Sequence, residues 1–212
     1  MTFGYPISLE LSGRRAVVIG TVAVALGKAE GLTRAGAEVT VIARQPAELL
    51  EDLELGGAIV HRRDYRDGDL EGAAIAIASD PSDDVRDAIV EEARRRHVLL
   101  NMIDDIPRSD WAAPATVRRG DLVIAISTGG RSPSLARRLR EQLESQFGPE
   151  WEQALELLES VRHETLPALP HFEERARRWS EALDTDELLR LLEAGRGDEA
   201  RARLVKRLVG AR

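Results

Sequence analysis

Residues 15–44, RAVVIGTVAVALGKAEGLTRAGAEVTVIAR, restrict the fold of this 212-residue chain more than any other stretch. Ala16, Val17, Val18 and Ile19 form an apolar run closed by Gly20. A segment rich in Ala, Leu and Lys follows, then a stop at Gly36 and a second apolar run from Val39 to Ala43. A run that is apolar at every position suits a strand buried on both faces, and a glycine at its end suits a sharp turn into a helix. The order strand, tight turn, helix, strand predicts a parallel sheet.

The turn itself reads Gly20, Thr21, Val22, Ala23, Val24, Ala25. A dinucleotide-binding turn has Gly-x-Gly-x-x-Gly/Ala: the first glycine makes the turn, the second admits the pyrophosphate to bare backbone, and the third permits close helix packing. Gly20 and Ala25 fill the first and third positions, whereas Val22 sets an isopropyl group at the second. Two readings stay open, a nucleotide site with an obstructed turn and a βαβ unit without a ligand. Ala43 and Arg44 end the second strand, where many dinucleotide enzymes carry an acid for the ribose; an arginine there instead favours a 2′-phosphate.

Composition narrows the function classes. The chain has no cysteine, which removes disulfides and thiolate metal sites and fits a reducing, cytoplasmic setting. No apolar run approaches the ~20 residues of a membrane span, and the N-terminus lacks the layout of a signal peptide, so no membrane partner is expected. A net charge of -7 argues against general nucleic-acid binding, which needs a basic surface. His61, His97, His163 and His171 have no metal-ligand spacing, so no bound metal is expected.

Along the chain, residues 5–11 form an apolar lead-in in which Tyr5, Ile7 and Leu9 alternate. Residues 45–57 suit a short helix, 58–61 a third strand, 73–78 a fourth, 84–96 a helix and 98–100 a fifth strand. Ser79 and Asp80 follow the fourth strand, and Asn101, Met102, Ile103, Asp104 and Asp105 follow the fifth. Ligands of open α/β sheets gather at such strand ends. Residues 111–126 read as a hairpin around Arg118-Arg119-Gly120-Asp121. Ser132 suits an N-cap and Pro133 a first helical residue for a helix to about 146. Beyond Pro149 the chain reads as helices, interrupted at Pro167, Pro170 and residues 195–197.

Four stretches, AVVIGTVAVALGKAEGLTRAGAEVTVIA, AIASDPSDDV, LLNMIDD and DLVIAISTGGRSPSLARRLREQLE, resemble in order and spacing the precorrin-2 dehydrogenase and sirohydrochlorin ferrochelatase family of sirohaem synthesis. The resemblance covers residues 5–144. Lys28 is kept, while Gly27, Arg86 and Trp111 depart from the family pattern, as does the Gly20-Thr21-Val22 turn. It implies a Rossmann-like α/β domain over 1–112 that binds NAD, a dimerisation segment over 113–147 and a helical domain over 148–212, with a tetrapyrrole held between them in a homodimer. The implied reaction oxidises precorrin-2 to sirohydrochlorin with hydride transfer to NAD. Some members also insert ferrous iron, which is then a substrate.

Asp104 takes the place of the aspartate to which the family's proton transfer is ascribed. Its neighbour Asp105 would raise the pKa of one of the two carboxyls, which suits proton transfer; the competing reading is a pair of acids capping a loop before Pro107. Ser127, Thr128, Gly129, Gly130, Arg131 and Ser132 read as an anion site, because two glycines, a helix start and a cation gather there. With Asn101 they are the candidates for binding the substrate. Arg138 and Arg140 read as a solvated helix face. Gly20, Thr21, Val22, Ala23, Val24, Ala43, Arg44, Ser79 and Asp80 are the cofactor candidates. A rival reading is a degenerate member that holds or chelates tetrapyrrole without oxidising it, and a third is a structural partner with neither ligand. Val22→Gly separates the first two: a large gain in NAD affinity marks the natural turn as impaired.

Overall fold

The computed structural model describes residues 4–20, 23–43, 57–79 and 82–210, and of residues 23–26 the backbone alone. The expected helix at 45–57 lies, but for Gly57, outside the described residues. Two compact units divide the chain, Met1–Ala113 with Gly129–Arg131, and Pro114–Thr128 with Ser132–Arg212.

The first unit is a five-stranded sheet. Its elements run β1 (Arg15–Ile19), α1 (Ala23–Arg34), β2 (Glu38–Ile42), β3 (Ile59–His61), β4 (Ile75–Ala78), α2 (Asp83–Arg96) and β5 (Leu99–Met102). Every pairing is parallel, in the order β3-β2-β1-β4-β5. The strand period of two sorts the apolar run onto two faces. Ala16, Val18, Val41 and Ile77 pack with Ala29 and Leu32 of α1, and Val17, Ile42 and Ala76 pack with Ile89, Val90 and Ala93 of α2. Burying each such Val or Ile contributes about 1.5–3 kcal/mol, and Thr40 of β2 is a buried polar exception.

α2 ends where His97 turns left-handed (φ 57°) and Val98 N donates back to Ala93 O at 2.9 Å. The β5 edge is closed by the segment that follows it. Asp110 N donates to Leu100 O (2.7 Å), its carboxylate accepts from Leu100 N (3.0 Å), and Met102 N donates to Ser109 Oγ (2.9 Å). That covering extends β5 to Met102, two residues beyond the stretch expected from the sequence. The lead-in at 5–11 pairs with no strand: Tyr5 and Ile7 stay exposed and only Leu11 enters the core.

The second unit begins with an antiparallel hairpin, β6 (Ala115–Arg119) and β7 (Leu122–Ile126), closed where Arg119 pairs with Leu122. Ser132 then caps α3 (Pro133–Gln146), its hydroxyl accepting from Leu135 N at 3.2 Å. Four helices follow, α4 (Glu150–Thr165), α5 (Phe172–Ala182), α6 (Thr185–Glu193) and α7 (Gly197–Val209). The α5–α6 break is one the proline and glycine count misses. Asp184 makes it, capping Glu187 N at 3.0 Å, and the D-x-x-E spacing is its signal in the sequence. Among the described residues no helix is long and apolar enough to cross a membrane.

Candidate functional site

The strand order reverses direction at β1, with β2 on one side and β4 on the other, so the crevice beyond the ends of β1 and β4 is the switch point of the sheet. Gly20 ends β1 there, with φ +110°. Its N–H donates to Ile42 O (2.9 Å), and Ser79 N at the end of β4 donates to Ile19 O (2.8 Å). A Cβ on Gly20 would stand 2.6 Å from Ser79 Oγ and closer still to the Ser79 carbonyl, so only glycine fits. Ser79 is 1% exposed, and its hydroxyl has no hydrogen-bond partner among the described residues. An orphaned buried hydroxyl is rare because it loses water and gains nothing, and at a switch point it marks a place where a ligand completes the bonding. Ala43 ends β2 at the same edge, buried, its N–H donating to His61 O at 3.0 Å. Thr21, Val22, Arg44 and Asp80 lie outside the described residues. Ala23 and Val24 form the first turn of α1. Lys28, in the same helix, is half-buried, and burial pushes its ammonium pKa below the usual lysine range.

Asp104 lies beyond the end of β5, two strands from β1 and hence about 10 Å across the sheet. It is exposed and left-handed, φ +62°, a conformation that costs a non-glycine residue about 1–2 kcal/mol and that aspartate tolerates better than most. The turn that holds it is tied on both sides. Ile103 N donates to Ala78 O (2.8 Å), Asp105 N to Met102 O (3.1 Å), and the Ser109 hydroxyl to Asp105 O (2.9 Å).

The adjacent acids are not the like-charge pair the sequence suggested. Asp105 is turned inward, its side chain 13% exposed, with Arg108 at 2.8 Å and Arg86 of α2 at 3.6 Å. Two guanidiniums offset its charge, and Asp104 alone faces water. Asn101 sits within β5, and its Nδ2 donates to Trp111 O at 2.7 Å, which engages the amide in holding the segment that closes the sheet edge.

In the stretch 127–132 the hydroxyls work largely on their own loop. Thr128 Oγ1 accepts from Ser132 N (3.1 Å) and donates to Ser132 O (3.2 Å), while Ser132 Oγ serves as the cap of α3. Gly129 and Gly130 are both left-handed, φ +62° and +78°. Ile106 Cδ1 lies 2.6 Å from where a Cβ on Gly130 would be, so residues 129–131 join the sheet unit just beyond the Asp104 turn. Arg131 is exposed, without an ion-pair partner among the described residues. Arg140 pairs with Glu144 one helical turn on, as expected of a solvated face, and Arg137 pairs likewise with Glu141.

Gly20, Ala43, Ser79 and Asp104 thus come to one edge of one sheet. Sequence reasoning missed Ser109, Arg86 and Arg108, which support the Asp104 turn, and Glu92. Glu92 is fully buried in α2 and accepts from Tyr65 OH, Gly68 N (3.0 Å) and Leu70 N (3.3 Å), which clasps the connection between β3 and β4. Its signal was available: Glu92 falls three residues after Ile89, on the apolar face of α2. Among the described residues no group of three His, Asp or Glu is placed to hold a metal.

A parallel sheet with a glycine turn and a buried hydroxyl at its switch point defines a dinucleotide-binding α/β protein. The comparisons narrow this class. A family described as putative NAD(P)-binding matches residues 7–115, and one described as sirohaem biosynthesis protein, central, matches residues 119–146. The chain belongs to the sirohaem-biosynthesis family of NAD(P)-binding proteins. It is 36% identical over 206 residues to a sirohaem synthase of Pseudomonas aeruginosa, covering 97% of this chain and 44% of that protein. Sirohaem synthase 1 of Pectobacterium atrosepticum is 35% identical over 205 residues, 96% of this chain and 42% of that one. The chain therefore spans less than half the length of these curated relatives. A solved structure of SirC, precorrin-2 dehydrogenase, superposes with a TM-score of 0.75 at 25% identity, over 96% of this chain and all of that one.

Proposed function

We propose that this protein is an NAD-dependent dehydrogenase that oxidises precorrin-2 to sirohydrochlorin in a cytoplasmic setting. The observation that carries the reading is one sheet edge presenting a cofactor cradle at Gly20 and Ser79 and a solvent-facing carboxylate at Asp104. The likeness to a precorrin-2 dehydrogenase along that protein's whole length supports it.

The residues present fit a dinucleotide. Gly20 leaves bare backbone at the turn, and the Ser79 hydroxyl has no partner among the described residues. NAD bound there supplies the hydride acceptor. Oxidation of the tetrapyrrole removes a hydride and a proton, and the proton goes to the Asp104 carboxylate, which the left-handed turn keeps out of the Asp105 ion-pair cluster. Arg131 attracts the substrate's carboxylates without first breaking an ion pair. Ferrous iron is a second substrate in this reading, with Asp104 taking up pyrrole protons as the metal replaces them.

The active form is a homodimer joined through the hairpin and α3. Support comes from incomplete burial: α3 has no buried residue, Val123 and Leu135 are 42% and 48% exposed, and a lone two-stranded hairpin is marginally stable in water. The test is anaerobic turnover of precorrin-2 with NAD, followed as NADH formation. One NADH forms per precorrin-2 oxidised in the natural protein. Asp104→Asn forms NADH at least about a hundredfold more slowly while binding NAD unchanged, in keeping with the usual contribution of a positioned proton acceptor. A natural protein that binds tetrapyrrole yet forms no NADH overturns the proposal.

A further inference from the structure

A cavity of 380 Å³ opens between α4 and α5, within the helical unit. Leu155, Leu158, Phe172 and Trp179 give it apolar and aromatic walls; Arg162 and Arg175 stand beside it with a single acid, Glu159. The interior of the helical unit is already filled by Val161, Leu169, Ala182, Leu204 and Leu208. The cavity is thus additional apolar surface left facing water, with Phe172 74% exposed and Leu155 38%. Exposed apolar surface lining a concavity marks a place where something binds.

The polar groups around it specify what binds. Arg175 donates to Leu169 O (2.9 Å) and Pro170 O (3.2 Å), which fixes its guanidinium 5.8 Å from the centre of the Phe172 ring. Arg162, one turn along α4 from Leu158, has no ion-pair partner among the described residues. The indole Nε1–H of Trp179 is buried and has no acceptor among the described residues. Donors and positive charge therefore exceed acceptors, and the missing component is an acceptor with negative charge attached to an apolar body.

We infer that this cavity binds a small amphipathic carboxylate, its hydrocarbon or aromatic part against Leu155, Leu158 and Trp179 and its carboxylate beside Arg162. The volume is near the lower end of the range for small-molecule sites, about 300–1,000 Å³. The site is also distinct from the 127–132 loop. The bundle meets the hairpin at its turn, where Glu152 abuts Gly120 and Trp151 faces Leu122 across a second small cavity. Ser127 lies five residues further along β7, about 16 Å away.

Calorimetric titration of the full chain with 2-naphthoate and with decanoate tests the inference and separates an aromatic from an aliphatic ligand. The uncharged 2-naphthamide and decanol serve as controls. At least one carboxylate binds at one site per chain with a submillimolar Kd, at least about tenfold tighter than its uncharged control. Arg162→Gln weakens that binding about tenfold, and Leu155→Glu, an exposed position where a new charge does not disturb the core, abolishes it. Both variants bind NAD as the natural protein does, so this result is independent of the dehydrogenase reading. Absence of saturable binding by either carboxylate, equal binding of acid and neutral control, or binding that survives both substitutions overturns the inference.

Discussion

Ser79→Ala separates a cofactor handle from a structural residue, because the two roles move stability and affinity in opposite directions. The hydroxyl is buried with no partner among the described residues, and such a group costs about 1–3 kcal/mol relative to one left in water. Removing it relieves that cost. The void left by one oxygen, roughly 10–15 Å³ at about 24 cal/mol per Å³, takes back only about 0.3 kcal/mol. The cofactor-free variant is therefore more stable than the natural protein by about 1–2 kcal/mol, a rise in Tm of about 2–8 °C for a chain of this size. With NAD the ranking closes. Cofactor at a hundred times its Kd stabilises the natural protein by about 2.7 kcal/mol, and a variant binding tenfold more weakly gains about 1.4 kcal/mol less at the same concentration. Thermal melts with and without NAD, together with calorimetric Kd values, read both effects. A variant less stable than the natural protein without cofactor would refute the orphaned hydroxyl, and an unchanged NAD affinity would refute its role as a handle.

Three further expectations follow from the same geometry. Glu92→Leu leaves Tyr65 OH, Gly68 N and Leu70 N without an acceptor, breaks the Arg96 ion pair (2.6 Å) and costs about 3–6 kcal/mol in urea unfolding, whereas Tyr65→Phe, which removes one donor only, costs about 1 kcal/mol. Asp69 illustrates the acid limit: partial burial pushes its pKa up, but the paired bonds from Arg63 (2.7 Å each) and the Arg66 N–H outweigh this, and the net shift is downward. Its contribution is thus present above the ordinary aspartate pKa, about 3.9, and is lost as pH falls through the lower folded value; in Arg63→Gln, urea melts between pH 7 and pH 3 show a smaller loss. Asp104→Gly removes left-handed strain while deleting the proton acceptor, so its stability equals or exceeds that of the natural protein by up to about 1 kcal/mol and it forms NADH at least about a hundredfold more slowly; a marked loss of stability would show that the side chain holds the turn.

Much of the sheet was legible before any coordinate. The run at 16–19 is apolar at every position and the run at 39–43 at all but Thr40, as strands covered on both faces require, and Ser132-Pro133 announces a helix start through local chemistry alone. The candidate site was legible in part. Gly20 stands out as the turn residue, and Ser79 and Asp104 are strand-end positions, but position says nothing of burial or bonding. Asp104 and Asp105 look equivalent in the sequence. They differ because Arg86 and Arg108 draw one inward while the left-handed turn leaves the other in water. Thr128 and Ser132, read as ligand donors, instead bond one another and the helix they introduce.

The sequence by itself determined what depends on neighbours along the chain: hydrophobic period, turn glycines, helix caps, and through them the parallel α/β class. Only the tertiary structure decided which polar groups find partners. Glu92 is matched by donors 22 to 27 residues away as well as by Arg96 one turn along α2, Asp105 by an arginine on another element, and Ser79 by nothing among the described residues. The physical reason is that a polar side chain's free energy turns on whether burial is offset by a hydrogen bond, and both burial and bond are set by residues remote in the chain.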